Sequence, residues 1–346
     1  MKTLFLILVS ASIFSCQRST EADLDQAVQT HIEAKSSAQA EDACQKVFIK
    51  ALNESTTSKV MCKALLARTN AELSICEDEI ADPHFSNLIT DCKTELAARI
   101  EQIKTERNQE VIASADLNFK FPFEIQYRDV KAGYTAVSGD VLPKQIVLTF
   151  DDGPHPTLSK TVVEILNRVG VKAHFMQVGR HVQEHPEITQ MIAKNGHSIG
   201  NHSWDHSQFS KLSFSDQVKQ IADTNKIIIN TIGWIDPFFR YPYGATTPEM
   251  NQFLKTHGEA NLLWSIDSND WKKINADQTV RTNAQVIEDT LNQIDQRGRG
   301  IVLFHDIQSR TIELLPTFLT RLHQRGYKIV LLQPSDLNSK KNSRIP

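Results

Sequence analysis

The sequence predicts an α/β protein, a distorted (β/α) barrel of about seven parallel strands preceded by a small, disulfide-stapled, all-helical domain. From about residue 145, short apolar runs alternate with helix-like runs, an order typical of parallel strands with helical crossovers. Polar residues follow the carboxyl ends of the apolar runs, where barrels place their active sites. Residues 20–112 lack glycine, contain one proline and are rich in Ala, Glu, Lys, Leu and Gln, which is a helical composition.

Composition narrows the class of protein. The chain has 346 residues, enough for two domains with a sizeable core, and its 40% hydrophobic and 23% charged content is that of a soluble globular protein. The formal net charge is -3, which gives no reason to expect a nucleic-acid partner or an anionic membrane surface. After the first residues, no apolar run is long enough to predict a transmembrane helix.

The first 16 residues have the character of an export signal. Lys2 gives a positive start, residues 4–9 form an apolar run too short to span a bilayer, and small residues follow. Residues 13–16, Ile-Phe-Ser-Cys, resemble a bacterial lipobox, in which the cysteine, here Cys16, becomes the lipidated first residue of the mature protein. A plain cleaved signal with an incidental cysteine is the alternative. Both predict an exported protein, which is lipid-anchored in the periplasm or cell envelope under the first interpretation and free or secreted under the second. A lipid anchor on Cys16 is the only membrane contact that the sequence predicts.

Four further cysteines predict disulfides, because an even number in an exported protein is typical of a disulfide framework. The pairs Cys44–Cys92 and Cys62–Cys76 are nested about nearly the same centre, so a helical hairpin turning near residues 68–70 would bring both pairs together. The other two pairings and free buried thiols remain alternatives. A metal cluster is disfavoured, since no Cys-x-x-Cys spacing occurs.

Two segments precede the barrel. Residues 20–112 form the helical domain, to which we assign a structural, recognition or partner-docking role because no cluster of catalytic residue types occurs there. Residues 113–144 form a connector, in which residues 119–127 alternate like a strand and Pro122 marks that strand as an edge.

The barrel domain spans residues 145–336 and is followed by a tail, residues 337–346. Helix-like runs include residues 158–169, 187–195 and 216–232. The strand count suits a barrel better than an open sheet, although the count alone does not decide between them. The seven predicted strands cover residues 146–150, 173–178, 198–201, 238–241, 262–266, 301–304 and 328–332.

The first motif with chemical potential ends the first barrel strand. Asp151 and Asp152 are adjacent carboxylates followed by a Gly-Pro turn. Like charges side by side are costly to desolvate unless a cation lies beside them, so we interpret the pair as one metal ligand and one proton-transfer carboxylate. A solvated turn is the alternative, because Asp, Gly and Pro favour turns.

His202 and His206 are spaced i and i+4, which places both imidazoles on one side of a helical turn. With one carboxylate they would make a three-ligand site with open positions, the arrangement of a catalytic zinc. Imidazoles disfavour magnesium and calcium. The alternative is a pair of surface or core histidines without metal.

Three further stretches end apolar strands with polar groups. Arg240 begins the run Arg-Tyr-Pro-Tyr-Gly and could orient a carboxylate, while a backbone N–H past Pro242 could face an oxyanion. Asp270 and Trp271 close another strand, and His305 beside a carboxylate could be held protonated as a general acid. Taken singly, the Arg240 run and the lone histidine fit ordinary strand-to-loop junctions as well.

These five stretches, in this order, resemble the polysaccharide deacetylase family, carbohydrate esterase family 4, over roughly residues 140–335. The resemblance implies a distorted barrel with fewer than eight strands and a metal-dependent site. It implies that Asp151 is the general base, positioned by Arg240, and that His305 is the general acid, tuned by Asp270. The implied metal ligands, for Zn²⁺ or another divalent transition metal, are Asp152, His202 and His206. The implied substrate contacts are the backbone N–H of Tyr243 for the oxyanion and an acetyl-methyl pocket lined by Trp271 and Leu303.

Two other histidines lie near these motifs. His174 occupies a position where relatives usually carry Thr, and we interpret it as a core or supporting residue rather than a ligand. His155 is interpreted as a groove or turn residue rather than a fourth ligand.

The resemblance and the export signal together predict a monomeric enzyme that removes N-acetyl groups from N-acetylglucosamine units of peptidoglycan, a cell-wall polysaccharide. Chitin oligomers or another N-acetylated polysaccharide are alternative substrates, and an O-acetyl esterase could use the same site. A catalytically silent carbohydrate-binding protein is the alternative of another class. Binding alone does not require both a base and an acid, so the intact motif set favours an enzyme.

Overall fold

The computed structural model describes residues 105–106, 108–113, 117–130, 135–136 and 139–336. Several expectations lie outside these residues and stay predictions: the export signal with Cys16, most of the helical domain, the pairs Cys44–Cys92 and Cys62–Cys76, and the tail 337–346. Among the described helices, none combines the length and apolar character that crossing a bilayer requires.

The predicted α/β architecture is confirmed: the strands form a curled half-barrel sheet in which every strand-to-strand pairing is parallel. The order along the curl is β2-β7-β6-β5-β4-β3-β9-β8, and β10 joins the amino end of β3 with β1 outside it. The strands are β1 Phe123–Arg128, β2 Thr135–Ala136, β3 Gln145–Asp151, β4 His174–Gln177, β5 Ser198–Asn201, β6 Phe238–Phe239, β7 Ala260–Leu262, β8 Ile266–Asp267, β9 Gly300–His305 and β10 Lys328–Pro334.

Helices cover the outer face of the sheet, as expected for parallel strands joined by crossovers. The helices are α1 Leu158–Arg168, α2 Gly179–Glu184, α3 Pro186–Lys194, α4 Phe214–Ile232, α5 Pro248–Thr256, α6 Asn283–Arg297 and α7 Ser309–Gln324. The predicted helices near 158–169, 187–195 and 216–232 correspond to α1, α3 and α4, and no end differs by more than two residues.

Local signals explain where the helices begin and end. Ser213 caps α4 by accepting the N–H of Asp216, and Gly233 ends it with a left-handed φ of 82°. Thr282 and Gln285 form a reciprocal capping box at the start of α6. These caps satisfy backbone groups that would otherwise lack partners at the helix ends.

The side chains of β3 point alternately into two hydrophobic cores. Ile146, Leu148 and Phe150 pack in the outer core between sheet and helices, whereas Val147 packs in the inner core enclosed by the curled sheet. Successive side chains of a strand point to opposite faces. The inner face of β3 therefore runs from Val147 to polar residues at its carboxyl end.

One predicted strand is interrupted. The run 262–266 was expected to form a single strand, but the structure has two short strands, β7 and β8, separated by residues 263–265. The break frees carbonyl groups that need other partners. The Arg240 guanidinium is such a partner: it donates hydrogen bonds to the carbonyls of Leu262 and Leu263 at 2.5 and 3.0 Å.

The predicted edge strand is confirmed in its position but begins later, as β1 beside β10. Pro122 precedes its first residue, and the Pro122 carbonyl accepts a hydrogen bond from the N–H of Ile329 at 3.0 Å. Proline has no N–H to donate, so its place just outside an edge strand leaves no ladder hydrogen bond unmade. Upstream, residues 108–113 are helical, and Ile112 is fully buried in the outer core.

Candidate metal centre and catalytic site

Two residues that are distant in the sequence lie side by side on neighbouring strands. Asp151 ends β3 and His305 ends β9, and the two are register partners on neighbouring parallel strands. Each lies an even number of residues from an inner-core residue of its own strand, Val147 and Ile301 respectively. Both side chains therefore belong to the inner face at the carboxyl end of the half-barrel.

Asp152, His202 and His206 converge on one point. The Asp152 Oδ1 atom lies 3.3 Å from Nε2 of His202 and 3.3 Å from Nε2 of His206. The ligand atoms of all three residues lie within 4.8 Å of one another. Two ligand atoms bound to the same tetrahedral ion, each about 2.1 Å from it, would be about 3.4 Å apart. The observed spacing therefore fits a shared cation.

The surroundings of Asp152 support the same interpretation. Its Oδ1 is buried and has no hydrogen-bond partner within the part of the chain that the structure describes. Buried acceptors are rarely left unsatisfied, and a bound cation would satisfy this one. Burial acts to raise the pKa of Asp152, but the close approach of His202 and the charges that the nearby imidazoles carry when protonated outweigh it and lower that pKa.

Hydrogen bonds outside the cluster orient its members. The Nδ1–H of His202 donates to the Arg240 carbonyl at 2.8 Å, so in the neutral imidazole the lone pair of Nε2 lies on the side of Asp152. His181 bonds through Nδ1 to the carbonyl oxygen of Asp152 at 2.7 Å. Partners of this kind fix the ring orientation of metal-binding histidines.

The loop that carries the two histidines is not helical, so the helical-turn expectation is wrong although the side chains do converge. Ser203 and His206 have left-handed φ values of 69° and 62°. Asn201 Oδ1 accepts the N–H of Ser203 at 2.8 Å, and Ser203 Oγ accepts the N–H of His206 at 3.0 Å. These side-chain hydrogen bonds replace the backbone bonds of a helix and hold the loop in its shape.

A series of buried side-chain hydrogen bonds, here called the polar chain, continues from this loop. Asn201 Nδ2 donates to Asn225 Oδ1 at 2.7 Å, and Asn225 Nδ2 donates to Glu259 Oε1 at 2.8 Å. Burial raises the pKa of Glu259 to about 7, although the hydrogen bond from Asn225 opposes the rise. Sequence reasoning missed Asn225 and Glu259; the available signal was a polar residue on the apolar face of α4.

Asp151 and Arg240 form a buried ion pair. Arg240 Nη1 donates to Asp151 Oδ1 at 2.6 Å and to Thr149 Oγ1 at 2.8 Å, and all three residues are almost inaccessible to solvent. The second carboxylate oxygen of Asp151, Oδ2, lies 3.6 Å from His202 Nε2. The guanidinium compensates the buried carboxylate and leaves Oδ2 directed towards the cluster of Asp152 and the histidines.

His305 and Asp270 form the second charged pair. Asp270 Oδ1 accepts from Nδ1 of His305 at 2.7 Å, and its Oδ2 accepts the His305 N–H at 2.8 Å and the Thr311 hydroxyl at 2.6 Å. Burial alone would lower the pKa of His305. The hydrogen bond and charge of Asp270, helped by Asp152 and Asp151, instead raise the pKa of His305 to about 9.

Asp306 lies beneath the site and was not singled out as a functional residue. Ser159 donates its hydroxyl to Asp306 Oδ2, and the carboxylate packs so closely on Gly153 that no side chain would fit at that position. Burial raises the pKa of Asp306 to about 7. The pair therefore supports the turn that follows Asp152.

The remaining expected site residues surround these groups. Tyr243 is exposed, has a left-handed φ of 59°, and its ring centroid lies 4.7 Å from that of His206. Leu303 is buried two residues before His305 on β9, and Trp271, which follows Asp270, is 49% exposed. Left-handed backbone at a non-glycine residue is uncommon and clusters at functional sites.

His174 and His155 are engaged elsewhere. His174 is fully buried in β4, and its Nε2 accepts the N–H of Leu332 at 3.2 Å. The Nδ1 of His155 accepts the N–H groups of Thr157 and Leu158, both at 3.2 Å, at the start of α1. Neither residue belongs to the cluster of Asp152, His202 and His206.

The fold and site define an α/β half-barrel with a candidate metal centre at the carboxyl ends of its strands. Residues 138–261 match the family model described as polysaccharide deacetylase. The solved structure of a peptidoglycan deacetylase from Bdellovibrio bacteriovorus superposes with a TM-score of 0.64 and 34% identity, covering 94% of this chain and 98% of that one. The chain therefore belongs to the polysaccharide deacetylase family.

Two curated relatives extend the comparison. A peptidoglycan-N-acetylglucosamine deacetylase of Listeria monocytogenes is 34% identical over 189 residues, which are 55% of this chain and 38% of the relative. A chitooligosaccharide deacetylase of Azorhizobium caulinodans is 34% identical over 164 residues, which are 46% of this chain and 73% of the relative. The chain thus spans about two fifths of the length of the Listeria protein.

We expect the polar chain behind the histidine loop to stabilise the fold and the metal centre together. Replacing Asn225 by Leu leaves the buried Glu259 without its donor, which should lower the free energy of unfolding by about 1–3 kcal/mol. Affinity for added zinc as a probe ion, measured by competition with a chromogenic chelator, should fall as well because Asn201 loses one of its supports.

The matched control replaces both partners, Asn225→Leu with Glu259→Met. Since no buried carboxylate then lacks a partner, urea unfolding should recover part of the loss, and the two substitutions should be non-additive. Strictly additive effects of the two substitutions on the free energy of unfolding would contradict the role given to these hydrogen bonds. An Asn225→Leu variant with unchanged stability and zinc affinity would contradict it as well.

Proposed function

We propose that this chain is an exported, metal-dependent deacetylase that hydrolyses N-acetyl groups on N-acetylglucosamine residues of peptidoglycan. The observation that carries the proposal is the convergence of Asp152, His202 and His206 at 3.3 Å, flanked by the pairs Asp151–Arg240 and His305–Asp270. A base and an acid on either side of a cation site suit hydrolysis rather than binding alone. The names of the Listeria and Bdellovibrio relatives support peptidoglycan as the substrate.

The metal in this proposal is zinc, held by Asp152, His202 and His206. One carboxylate oxygen and two imidazole nitrogens are ligands that Zn²⁺ accepts, and three protein ligands leave positions for water and substrate. The ion would polarise the acetyl carbonyl and lower the pKa of a water molecule.

Asp151 is proposed as the general base. Arg240 occupies its Oδ1 and holds the carboxylate in place, so Oδ2 is the atom left to accept a proton from the attacking water. The same ion pair keeps Asp151 distinct from the ligand Asp152, although the two are neighbours in the chain.

The developing oxyanion and the acetyl group need their own contacts. We assign the backbone N–H of Tyr243 to the oxyanion, where one such donor typically contributes about 10²–10³ in rate. Trp271 and Leu303 would line an apolar pocket for the acetyl methyl group. The exposed ring of Trp271 would at the same time offer a face to the sugar.

His305 is proposed as the general acid. An amide nitrogen is a poor leaving group as an anion, so the reaction needs a proton donor on the leaving side. Asp270 holds the Nδ1–H of His305 and stabilises the imidazolium, which leaves Nε2 to deliver its proton to the departing amine.

We extend the proposal to the cellular setting. Residues 1–16 would direct export, Cys16 would carry the lipid, and the enzyme would act as a monomer at the cell envelope. The helical domain with its two cysteine pairs would serve structure or recognition.

A second candidate is supported by the chitooligosaccharide deacetylase of Azorhizobium caulinodans, of which this chain covers 73%. The same groups would remove acetyl from N-acetylglucosamine whether or not the polymer carries peptides. An O-acetyl esterase would use them as well, so the substrate is settled by assay rather than by the catalytic groups.

The direct test measures acetate release from purified peptidoglycan, chitin oligomers and acetylated xylan, with mass spectrometry of the products. We expect loss of acetyl from glucosamine units of peptidoglycan, abolished by a chelator and restored by added zinc. Release from xylan alone would identify an esterase, and no release from any polymer with zinc present would refute the proposal.

The two adjacent aspartates should respond differently to substitution. Asp151→Asn should lower kcat by about 10²–10⁴ because the base is lost, while zinc content stays near one ion per chain. Asp152→Asn should lose zinc and activity together, since a charged ligand is removed. If Asp151→Asn loses the metal and keeps its activity, the roles of the two residues must be exchanged.

The pH profile should report the His305–Asp270 pair. A raised pKa keeps His305 protonated to higher pH, so the alkaline limb of kcat/KM should lie above the ordinary histidine value of about 6.5. Asp270→Asn removes the charge that raises this pKa and should move the limb to lower pH, with zinc content as the control. If the alkaline limb does not move in Asp270→Asn, the titration of His305 is not its cause.

A further inference from the structure

Beside the candidate site, a short arm projects from the barrel. The arm comprises residues 271–282 and begins immediately after Asp270, the partner of His305. Ile274 and Val280 face each other in an antiparallel bridge. The N–H of Arg281 donates to the Lys273 carbonyl at 2.9 Å and closes the hairpin.

The arm is fixed to the domain. Arg310, in the first turn of α7, donates through Nη1 to the carbonyl of Lys272 and through Nη2 to the carbonyl of Arg281 at 2.8 Å. Arg281 also forms an ion pair with Asp289 of α6 at 2.8 Å. Both legs of the hairpin are therefore bonded at their base, and the arm presents a defined surface.

That surface combines exposed apolar groups with free positive charge. Ile274 is 54% exposed and Val280 is 73% exposed, and as directly opposed bridge partners they project from the same face. Lys272 and Lys273 are both exposed, and neither forms an ion pair with a carboxylate of the described residues. The one acidic residue of the arm, Asp277, is hydrogen-bonded by the N–H and hydroxyl of its neighbour Thr279.

The arm is also continuous with the substrate site. Lys272 Nζ lies 5.5 Å from the ring centroid of Trp271, which we assign to the acetyl pocket. The chain as a whole has a net charge of -3, so this positive surface is a local feature. A ligand that occupies the site and continues along the arm would meet first an aromatic ring and then the face of Lys272, Ile274 and Val280, whereas Lys273 projects from the opposite face of the hairpin beside them.

We propose that the arm recognises an acidic peptide attached to the glycan that is being deacetylated. Carboxylates of such a peptide match Lys272 and, across the edge of the hairpin, Lys273, and its aliphatic parts match Ile274 and Val280. Peptidoglycan carries peptides of this chemistry on its sugars, whereas chitin oligomers carry none. The inference deepens the proposed function and rests on it for the identity of the glycan.

The test compares two substrates that have the same glycan and differ only in whether the peptides are attached. The two substrates are soluble peptidoglycan fragments with their peptides and the same fragments after an amidase has removed the peptides. For Lys272→Ser with Lys273→Ser, we expect KM for the peptide-bearing fragment to rise roughly three- to tenfold, the size expected for losing two exposed ion pairs. The kcat value and the KM for the stripped fragment should stay unchanged.

Two further measurements sharpen the test. Added salt should reduce the wild-type preference for the peptide-bearing fragment because exposed charges are screened. Ile274→Ser with Val280→Ser should raise KM for the same fragment only. The matched control, Lys226→Ser with Lys255→Ser, removes two exposed lysines from α4 and α5 and should leave both KM values unchanged.

The outcomes separate this inference from the proposed function. Equal KM changes for both fragments, or none for either, would overturn the arm's role while leaving deacetylation intact. If the serine variants of Ile274 and Val280 change the sedimentation coefficient instead of KM, the pair is a self-association contact and the inference is wrong. If the wild type releases no acetate, the proposed function fails, and calorimetric binding of the same two fragments still decides whether the arm selects the peptide.

Discussion

The site depends on how the fold separates two adjacent carboxylates. Asp151 is the last residue of β3 and follows the inward alternation of that strand, whereas Asp152 lies beyond the strand end with a left-handed φ of 74°. Two carboxylates left together would repel and be costly to bury. The structure gives them different counter-groups: the fixed charge of Arg240 for Asp151, and the imidazoles with their cation site for Asp152. This separation is what the proposed base, Asp151, requires in order to lie beside the candidate metal centre without becoming one of its ligands.

Arg240 links that separation to the incompleteness of the barrel. At the break between β7 and β8 the Arg240 guanidinium bonds to two carbonyls, that of Leu262 at the end of β7 and that of Leu263 beyond it. Its Nη1 donates to Asp151 and to Thr149. A continuous strand at this place would pair its own carbonyls and leave the buried guanidinium with too few acceptors. The distortion of the barrel and the position of the candidate base are in this sense one feature.

The features that the sequence predicted correctly are those that depend on residues close together in the sequence. Asp151 and His305 could be placed at strand ends because an apolar run and the polar residue that closes it are neighbours in the sequence, and the order of helices and strands follows from local patterns for the same reason. The histidine spacing indicated convergence but gave the wrong backbone, since the left-handed Ser203 depends on Asn201 in β5. The Asn225–Glu259 hydrogen bond joins residues 34 positions apart, and no local pattern specifies such a partner.

The first turn of α7 connects chemistry with recognition. Thr311 donates its hydroxyl to Asp270, the partner of His305, and the preceding residue, Arg310, holds both legs of the arm. Consecutive residues of a helix keep a fixed spacing, so the arm has a fixed distance from the candidate acid. A peptide bound on the arm would then set which sugar of the polymer presents its amide to the metal centre. Selection of the sugar would follow from its register along the polymer, while the groups proposed to break the amide bond would be the same for every N-acetylated glycan.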